Sequence, residues 1–222
     1  MLRRRVSGGL ARCASIAAMY VRPSHRPRHA SDVLEVIERH RFGTLVTNTA
    51  EGMIASHLPF MIDMQRGEHG TLLAHMARAN PQSAAIGGDA EALVMFLGPH
   101  AYISPSWYVD RATAPTWDYV AVHCYGRTVR QSDEEALRNI ERLVGVMEAP
   151  PPEGWSTADL TAEDVQALVR NVVSFEIPVA RMEGKFKLNQ GDTPERIRAA
   201  IARLEEQGER ELSVYMQRFN DL

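Results

Sequence analysis

An arginine and an asparagine follow directly on an apolar run in the segment HMARANPQ, residues 75–82. The run TLLAHM predicts a strand, and Pro81 is a favourable first residue of a helix. Arg78 and Asn80 would then lie between a strand end and a helix N-terminus, where backbone N–H groups are free and the helix dipole is positive. Because a guanidinium adds two parallel donors, the segment predicts a phosphate site. The alternative is a solvated arginine beside a helix cap.

A serine and a histidine interrupt an apolar run in the segment ASHLPF, where they are Ser56 and His57. Pro59 has no backbone N–H to donate, so we expect this strand at a sheet edge or at a bulge. A ligand can approach the backbone at such a place. The other interpretation is that His57 is a partly buried histidine whose hydrogen bonds are satisfied.

Two lysines alternate in the segment GKFKLNQG, so that Lys185 and Lys187 project from one face of a predicted strand. Two ammonium groups on one face repel each other unless they are solvated or share an anion. Solvation is the simpler interpretation. The position of both lysines before a glycine turn keeps an anion-binding role open.

Two tryptophans, Trp107 and Trp117, flank a loop in the segments YISPSWY and PTWDYV. Aromatic side chains supply stacking area together with a polar group, and Ser104 and Ser106 add hydroxyls next to them. Packing over one end of a barrel explains the loop equally well. Together with Arg78, however, the aromatic side chains favour a flat ligand that carries a phosphate.

Other chemistries lack the residue spacing that they require. The strand histidines, among them His57, His75 and His123, show no spacing such as HExxH. The chain has no GxSxG elbow for a nucleophile, and neither a Walker loop nor a GxGxxG turn for a nucleotide. The sequence therefore predicts no metal ligand and no catalytic side chain.

The composition is that of an ordinary globular protein, with 222 residues, 24% of them charged, and a formal net charge of −3. This charge gives no overall attraction to nucleic acid or to an anionic membrane. Two cysteines build no disulfide framework, and we expect a reducing compartment, the cytoplasm. No apolar run reaches the roughly 18 residues of a membrane helix, so no membrane contact is expected.

The N-terminal segment differs from the rest of the chain. Residues 1–31 contain seven arginines and no acidic residue. This composition is typical of an organellar transit peptide, but it also fits a start placed too early, with the protein proper beginning at Met19. We expect residues 1–18 to lie outside the fold and residues 19–222 to form one domain that ends in helices.

The remaining patterns predict about six strands, mostly antiparallel because their turns are short. A hairpin joins GTLVTN to MIASHLPFMID through TAEG, and TLLAHM, EALVMFLG with AYIS, YVAVHCYGRTV and VVSFEIPVARMEGKFKLN follow. Helices are predicted after Ser31 as N-cap, from Ser132 or Asp133, over TAEDVQALVRN and at the C-terminus. Since no strand and helix alternate as in βαβ units, an α+β barrel follows.

Several of these segments together resemble the PaiB family of FMN-binding negative transcriptional regulators, which is related to the split barrels of the pyridoxamine-phosphate-oxidase type. The resemblance covers roughly residues 19–220. It implies a six-stranded antiparallel split β-barrel with peripheral and C-terminal helices, which forms a homodimer and binds FMN in a cleft between the subunits. The segments that carry it are MYVRPSHR, ASHLPF, HMARANPQ, AYISPSWY, PTWDYVAVHCYG and EGKFKLNQ.

The resemblance also implies which residues contact the cofactor. Arg78 and Asn80 are expected at the phosphate, while Lys187 and either Trp107 or Trp117 are expected at the rim, from the other subunit. The isoalloxazine and the ribityl chain would be lined by Ser56, His57, Leu58, His75, Met76 and Ala77.

The resemblance implies repression of transcription, and DNA as a partner rests on it alone. No helix-turn-helix with a basic recognition helix is visible, and glutamates balance the arginines of the C-terminal helices. One alternative is a small flavin-dependent oxidoreductase on the same barrel. Another is a protein that binds flavin or haem without turnover, because a fold does not determine a function.

Overall fold

A computed structural model describes residues 19–150 and 152–222. The expectations for residues 1–18, a targeting segment or an early start, therefore lie outside the described residues. Within the described part, no helix is both long enough and apolar enough to cross a bilayer.

The predicted antiparallel split barrel is confirmed. One curled sheet has the strand order β2-β1-β5-β6-β8-β4-β3, with β7 paired to β8. It contains two short strands more than predicted, because the chain bends at Phe60 and the segment after Arg127 pairs separately. The strands are β1 (Phe42–Thr49), β2 (Gly52–Pro59), β3 (Met61–Asp63), β4 (Thr71–Ala77), β5 (Glu91–Ile103), β6 (Thr116–Arg127), β7 (Val129–Arg130) and β8 (Val172–Lys187).

The long strand β8 joins the two halves of the barrel. Its first part pairs with β4, from Val172 opposite Ala77 to Pro178. Its second part pairs with β6, up to Lys187 opposite Tyr119. A register shift between Tyr125 and the next residue of β6 marks the change of partner. The barrel remains split because β2, at one end of the sheet, pairs only with β1 and approaches β4 without a ladder.

Alternation along the strands separates a buried inner face from an outer face. On β6, Val120, Val122 and Cys124 point inward and are buried, as their spacing predicts. Two C-terminal helices close one end of the core, where the ring of Phe219 stacks on that of Phe186 at 4.7 Å. The helices are α1 (Ala30–Arg39), α2 (Asp133–Met147), α3 (Ala162–Asn171), α4 (Pro194–Glu206) and α5 (Arg210–Asn220).

Helix α1 begins one residue earlier than the predicted cap. Its N-cap is His29 and not Ser31, because the carboxylate of Asp32 accepts the backbone N–H of His29 at 2.8 Å. Helix α2 begins as expected. The Ser132 hydroxyl accepts the N–H of Glu135, and the Glu135 carboxylate accepts the N–H of Ser132 at 2.9 Å. This reciprocal arrangement satisfies two N–H groups that a helix start leaves free.

The helix predicted at Pro81 is only a 3-10 helix of five residues, Pro81–Ala85. Its bonds run from residue i+3 to residue i, as from the N–H of Ser83 to the carbonyl of Asn80 at 2.9 Å. So short a segment has little dipole, and the side chain of Asn80 already accepts the N–H of Gln82. The helix dipole predicted at Pro81 therefore does not favour a phosphate here, and only the side-chain donors remain.

Candidate functional site

Strand β2 lies at a free edge of the sheet, as Pro59 predicts. Ser56 and Leu58 point to the inner face, and Leu58 is part of the core. His57 points to the outer face and is exposed, where its Nδ1 and the hydroxyl of Thr44 are hydrogen-bonded at 2.9 Å. The three predicted neighbours therefore lie on opposite sides of one strand.

A hydrogen bond joins this edge to the turn that follows β4. The side-chain amide of Asn80 donates to the hydroxyl of Ser56 at 2.9 Å. The proton of that hydroxyl and the second proton of the amide have no acceptor within the described residues. Ser56 and Asn80, which are far apart in sequence, thus offer two donors at one place.

Gln82 holds this turn in position, and sequence reasoning missed it. Its side chain is completely buried. Its Nε2 lies 3.2 Å from the carbonyl oxygen of Leu45, 3.1 Å from that of Ile54 and 3.0 Å from the hydroxyl of Thr47. One amide therefore ties the 3-10 helix to both β1 and β2. No local signal distinguishes such a glutamine from a solvated one in a loop.

We expect Gln82→Met to lower the free energy of unfolding by about 1–3 kcal/mol, because it removes the buried amide donor that lies against the carbonyls of Leu45 and Ile54. Chemical denaturation measures the change. Gln65→Met, at an exposed turn, is the matched control and should have a much smaller effect. Equal losses in the two variants would show that the buried amide does not support the turn.

The guanidinium of Arg78 lies at the end of helix α3. Its Nε donates to the carbonyl of Arg170 at 2.7 Å, and its Nη2 donates to that of Val172 at 2.8 Å. Its Nη1 has no hydrogen bond within residues 19–150 and 152–222. Arg78 is therefore fixed by the helix end and still presents one charged nitrogen to an anion.

The other predicted residues of β4 do not share one environment. Met76 is buried in the core, whereas Ala77 is exposed at the strand end. His75 points to the opposite side from Met76, and burial lowers its pKa. Since alternation places His75 and Met76 on different faces, a ligand that contacts both must reach around the strand end.

The two tryptophans have different surroundings. Trp107 ends the 3-10 helix Pro105–Trp107 and packs against the core beside α4. This corresponds to the alternative in which the loop packs over one end of the barrel. Trp117 is half exposed on the outer face of β6. Its Nε1 donates to Nδ1 of His100 at 3.3 Å, and the ring of Tyr102 lies 6.2 Å away, edge on. Trp117 is therefore the tryptophan that remains available for stacking.

Lys187 is engaged by the end of β6. Its ammonium donates to the hydroxyl of Thr116 and to the carbonyl of Trp117, the latter at 2.6 Å, and lies 3.4 Å from the carboxylate of Asp118. Asp118 is fully buried, and burial raises its pKa to about 6 although Lys187 opposes the rise. Asp118 was missed, but it lies two residues before Val120 and so on the buried face.

The ionisation of Asp118 should make the free energy of unfolding depend on pH. Its pKa is higher in the folded chain than the ordinary value of 3.8, so its contribution is complete below pH 4 and is lost as the pH rises through about 6. For Asp118→Asn we expect the fall in unfolding free energy between pH 4 and pH 7 to be smaller by about 2–3 kcal/mol. Denaturation at several pH values tests this, and parallel curves for variant and wild type would contradict it.

The predicted residues thus form two groups. Ser56 and Asn80 lie at the edge between β2 and the turn after β4, and Arg78 belongs to the same turn. His57 and Trp117 lie on the outer face of the sheet, with Lys187 beside the latter. A single chain does not bring these groups together, so one ligand that contacts both would have to lie between two chains.

The donor set at the edge fits the groups of a flavin mononucleotide. Hydroxyl, amide and guanidinium donors match phosphate and ribityl oxygens, and none of the three side chains is paired with a carboxylate of residues 19–150 or 152–222. In the described residues, no cluster of histidine, cysteine and acidic side chains is suited to a metal.

Comparison with known proteins agrees with this chemistry. The family described as "Putative FMN-binding domain" matches residues 19–181, a range that includes every predicted contact except Lys187. The chain is 31% identical over 172 residues to the "Protease synthase and sporulation protein PAI 2" of Bacillus subtilis, covering 78% of this chain and 82% of that protein.

Solved structures show the same fold at low sequence identity. The flavocytochrome Anf3 from Azotobacter vinelandii is 13% identical, with a TM-score of 0.57 over 77% of this chain and 73% of that one. The FAD and heme binding protein from Mycobacterium smegmatis is 14% identical, with a TM-score of 0.56 over 79% and 80%. With the family match over most of its length, the chain belongs to the PaiB family of split-barrel proteins, whose cofactor is FMN.

Proposed function

We propose that FMN is held at the edge formed by Ser56, Asn80 and Arg78. The observation that carries this proposal is the hydrogen bond from Asn80 to Ser56, which fixes two donors in the turn that also holds Arg78, whose Nη1 has no partner among the described residues. Nη1 of Arg78 binds the phosphate, and Ser56 and Asn80 orient the ribityl chain. When bound, FMN supplies the redox chemistry of its ring, while these side chains determine its position.

The protein acts as a homodimer that buries the outer face, defined here as the outward side of β1, β2, β5 and β6. Large apolar side chains are exposed there, including Met53 at 80% and Phe42 at 69%, together with Leu97. Exposed apolar side chains on one face of a sheet are typical of an interface. A second chain on it brings the partner's Trp117 and Lys187 to the flavin and completes the set of contacts.

The regulatory role proposed for this FMN-binding dimer is repression of transcription in the cytoplasm, with residues 19–222 as one folded unit. The support is the family resemblance of the sequence. The first turns of α2 and α3 carry Asp133, Glu134, Glu135, Glu163 and Asp164, so DNA contacts belong elsewhere than at these two helix starts.

The absorption spectrum of the purified full chain tests the cofactor. Flavin bands should persist through gel filtration after FMN is added, and sedimentation velocity should give a dimer. Leu97→Glu places a charge in the outer face, whereas Val214→Glu, on an exposed position of α5, is its control. A monomeric wild type, or a dimer that Leu97→Glu leaves intact, would overturn the proposed interface.

Binding to DNA is tested by retardation of the fragment upstream of the protein's own coding region, with and without FMN, at physiological salt. A specific shift supports the regulator. A second candidate is an FMN-dependent oxidoreductase or a flavin and haem carrier, since a flavocytochrome and a FAD and heme binding protein share the fold. Bleaching of bound FMN by a nicotinamide donor, with no retardation of DNA, would favour the oxidoreductase.

A further inference from the structure

Lys185 is a cation on the outer side of β8. It has no hydrogen bond and no ion pair among residues 19–150 and 152–222. Its ammonium lies 5.5 Å from the ring centre of Tyr20 and 5.2 Å from that of Tyr119. The two rings hold the charge in place and remove part of its water without neutralising it.

The carboxylates closest in the sheet are already engaged. Glu183 accepts the backbone N–H of Met19 at 2.8 Å and pairs with Arg181. Asp118 is paired with Lys187. Neither acid is left to compensate Lys185, so the charge is available to an external anion.

The segment before α1 adds to this positive region. His25 is only 7% exposed, and its buried Nδ1 has no hydrogen-bond partner in the described chain. Burial lowers the pKa of His25, and the charges of Lys185, Arg22 and Lys187 lower it further. The pKa of His25 thus reports a positive environment next to Lys185.

An aromatic surface begins next to this charge. Across the sheet, His100 lies opposite Tyr119, and Tyr102 lies opposite Trp117. These four side chains share the outer side of β5 and β6, and Lys185 borders them through the ring of Tyr119. A flat ring on such a surface would have its acidic substituent within reach of the ammonium.

We propose that Lys185 binds the acid group of a flat aromatic anion whose ring lies on Tyr119 and Trp117. The ammonium of Lys185 is separate from the edge assigned to the FMN phosphate, because it lies on the outer side of β8, whereas Trp117 is also the side chain that the proposed dimer brings to the flavin. The position of the anion beside a flavin rests on the proposed dimer, where the anion would be the reaction partner or effector of that site. Binding of the anion to the chain does not depend on FMN.

Isothermal titration of the full chain with 2-naphthoate and with 2-naphthamide tests the proposal, since the two molecules share a ring and differ in charge. A charge-assisted contact predicts that the acid binds about tenfold more tightly than the amide. Lys185→Met should abolish this preference, and Lys185→Arg should retain it. Arg198→Met, which removes an exposed cation of α4, should leave it unchanged.

Equal affinities for acid and amide in the wild type, or a preference that survives Lys185→Met, would overturn the proposal. Trp117→Leu separates the two parts of the site, because it should weaken both ligands to the same extent. The flavin proposal is judged independently, from the FMN absorbance of the wild-type chain. A chain that binds 2-naphthoate selectively but not FMN would refute the flavin site alone.

Discussion

Replacing Gly126 with alanine is expected to lower the free energy of unfolding by at least about 3 kcal/mol. A Cβ atom at this position would lie 2.3 Å from the carbonyl oxygen of Pro178 and 2.8 Å from Cγ2 of Ile177. The first of these atoms belongs to the backbone, so no side-chain rotation relieves the clash. Gly126 lies opposite the point at which β8 changes its pairing partner from β4 to β6, so a displacement there disturbs both halves of the barrel.

The same substitution at Gly145 is the matched control. Gly145 lies inside α2, and its added Cβ would have nothing within 4 Å. Since alanine is the better helix former, Gly145→Ala should raise the free energy of unfolding by about 0.5–1 kcal/mol. Urea denaturation of both variants checks the contrast. A similar change in the two would mean that close packing at Gly126 is not what the barrel requires.

Replacing Arg78 with methionine should weaken FMN binding about tenfold or more, because a charge-assisted contact to the phosphate is worth about 1.5–3 kcal/mol. Riboflavin has the same ring and ribityl chain but no phosphate, so its affinity should stay the same. Fluorescence quenching of the two flavins measures both dissociation constants.

Riboflavin also controls for the structural role of Arg78, whose guanidinium holds the end of α3. If the variant merely loosens the turn, both flavins lose affinity in parallel. Arg138→Met, on the exposed side of α2, controls for the change in net charge. An FMN affinity within a factor of two of wild type would refute the phosphate contact.

The local elements of the fold could be predicted because neighbouring residues specify them. Alternation and the turn TAEG specify the hairpin of β1 and β2, and Ser132 with Glu135 specifies the start of α2. The cap of α1 was misplaced by two residues because Asp32 satisfies N–H groups before the serine. The length of the helix at Pro81 was overestimated, because the attachment of Gln82 to two strands leaves room for only a short helix.

The division of the candidate site into two groups could not be predicted from the sequence. It depends on strand registers between residues that are far apart, such as Ser56 with the turn that holds Asn80. The burial of polar side chains also depends on contacts between residues that are far apart in the sequence. Asp118 carried a usable signal in its alternation with Val120, whereas the contacts of Gln82 exist only after the barrel has closed.

The double pairing of β8 also has a consequence for the order of events in folding. Thr71 pairs with Pro178 and Ala77 pairs with Val172. Strand β4 therefore cannot pair with β8 until β8 has been synthesised, after α2 and α3. Until then β4 and β6 both present unpaired backbone to other chains, which is a hazard for aggregation on the ribosome. With so many contacts between distant residues, barrel closure is expected to be the slow step, and chaperones would act before it.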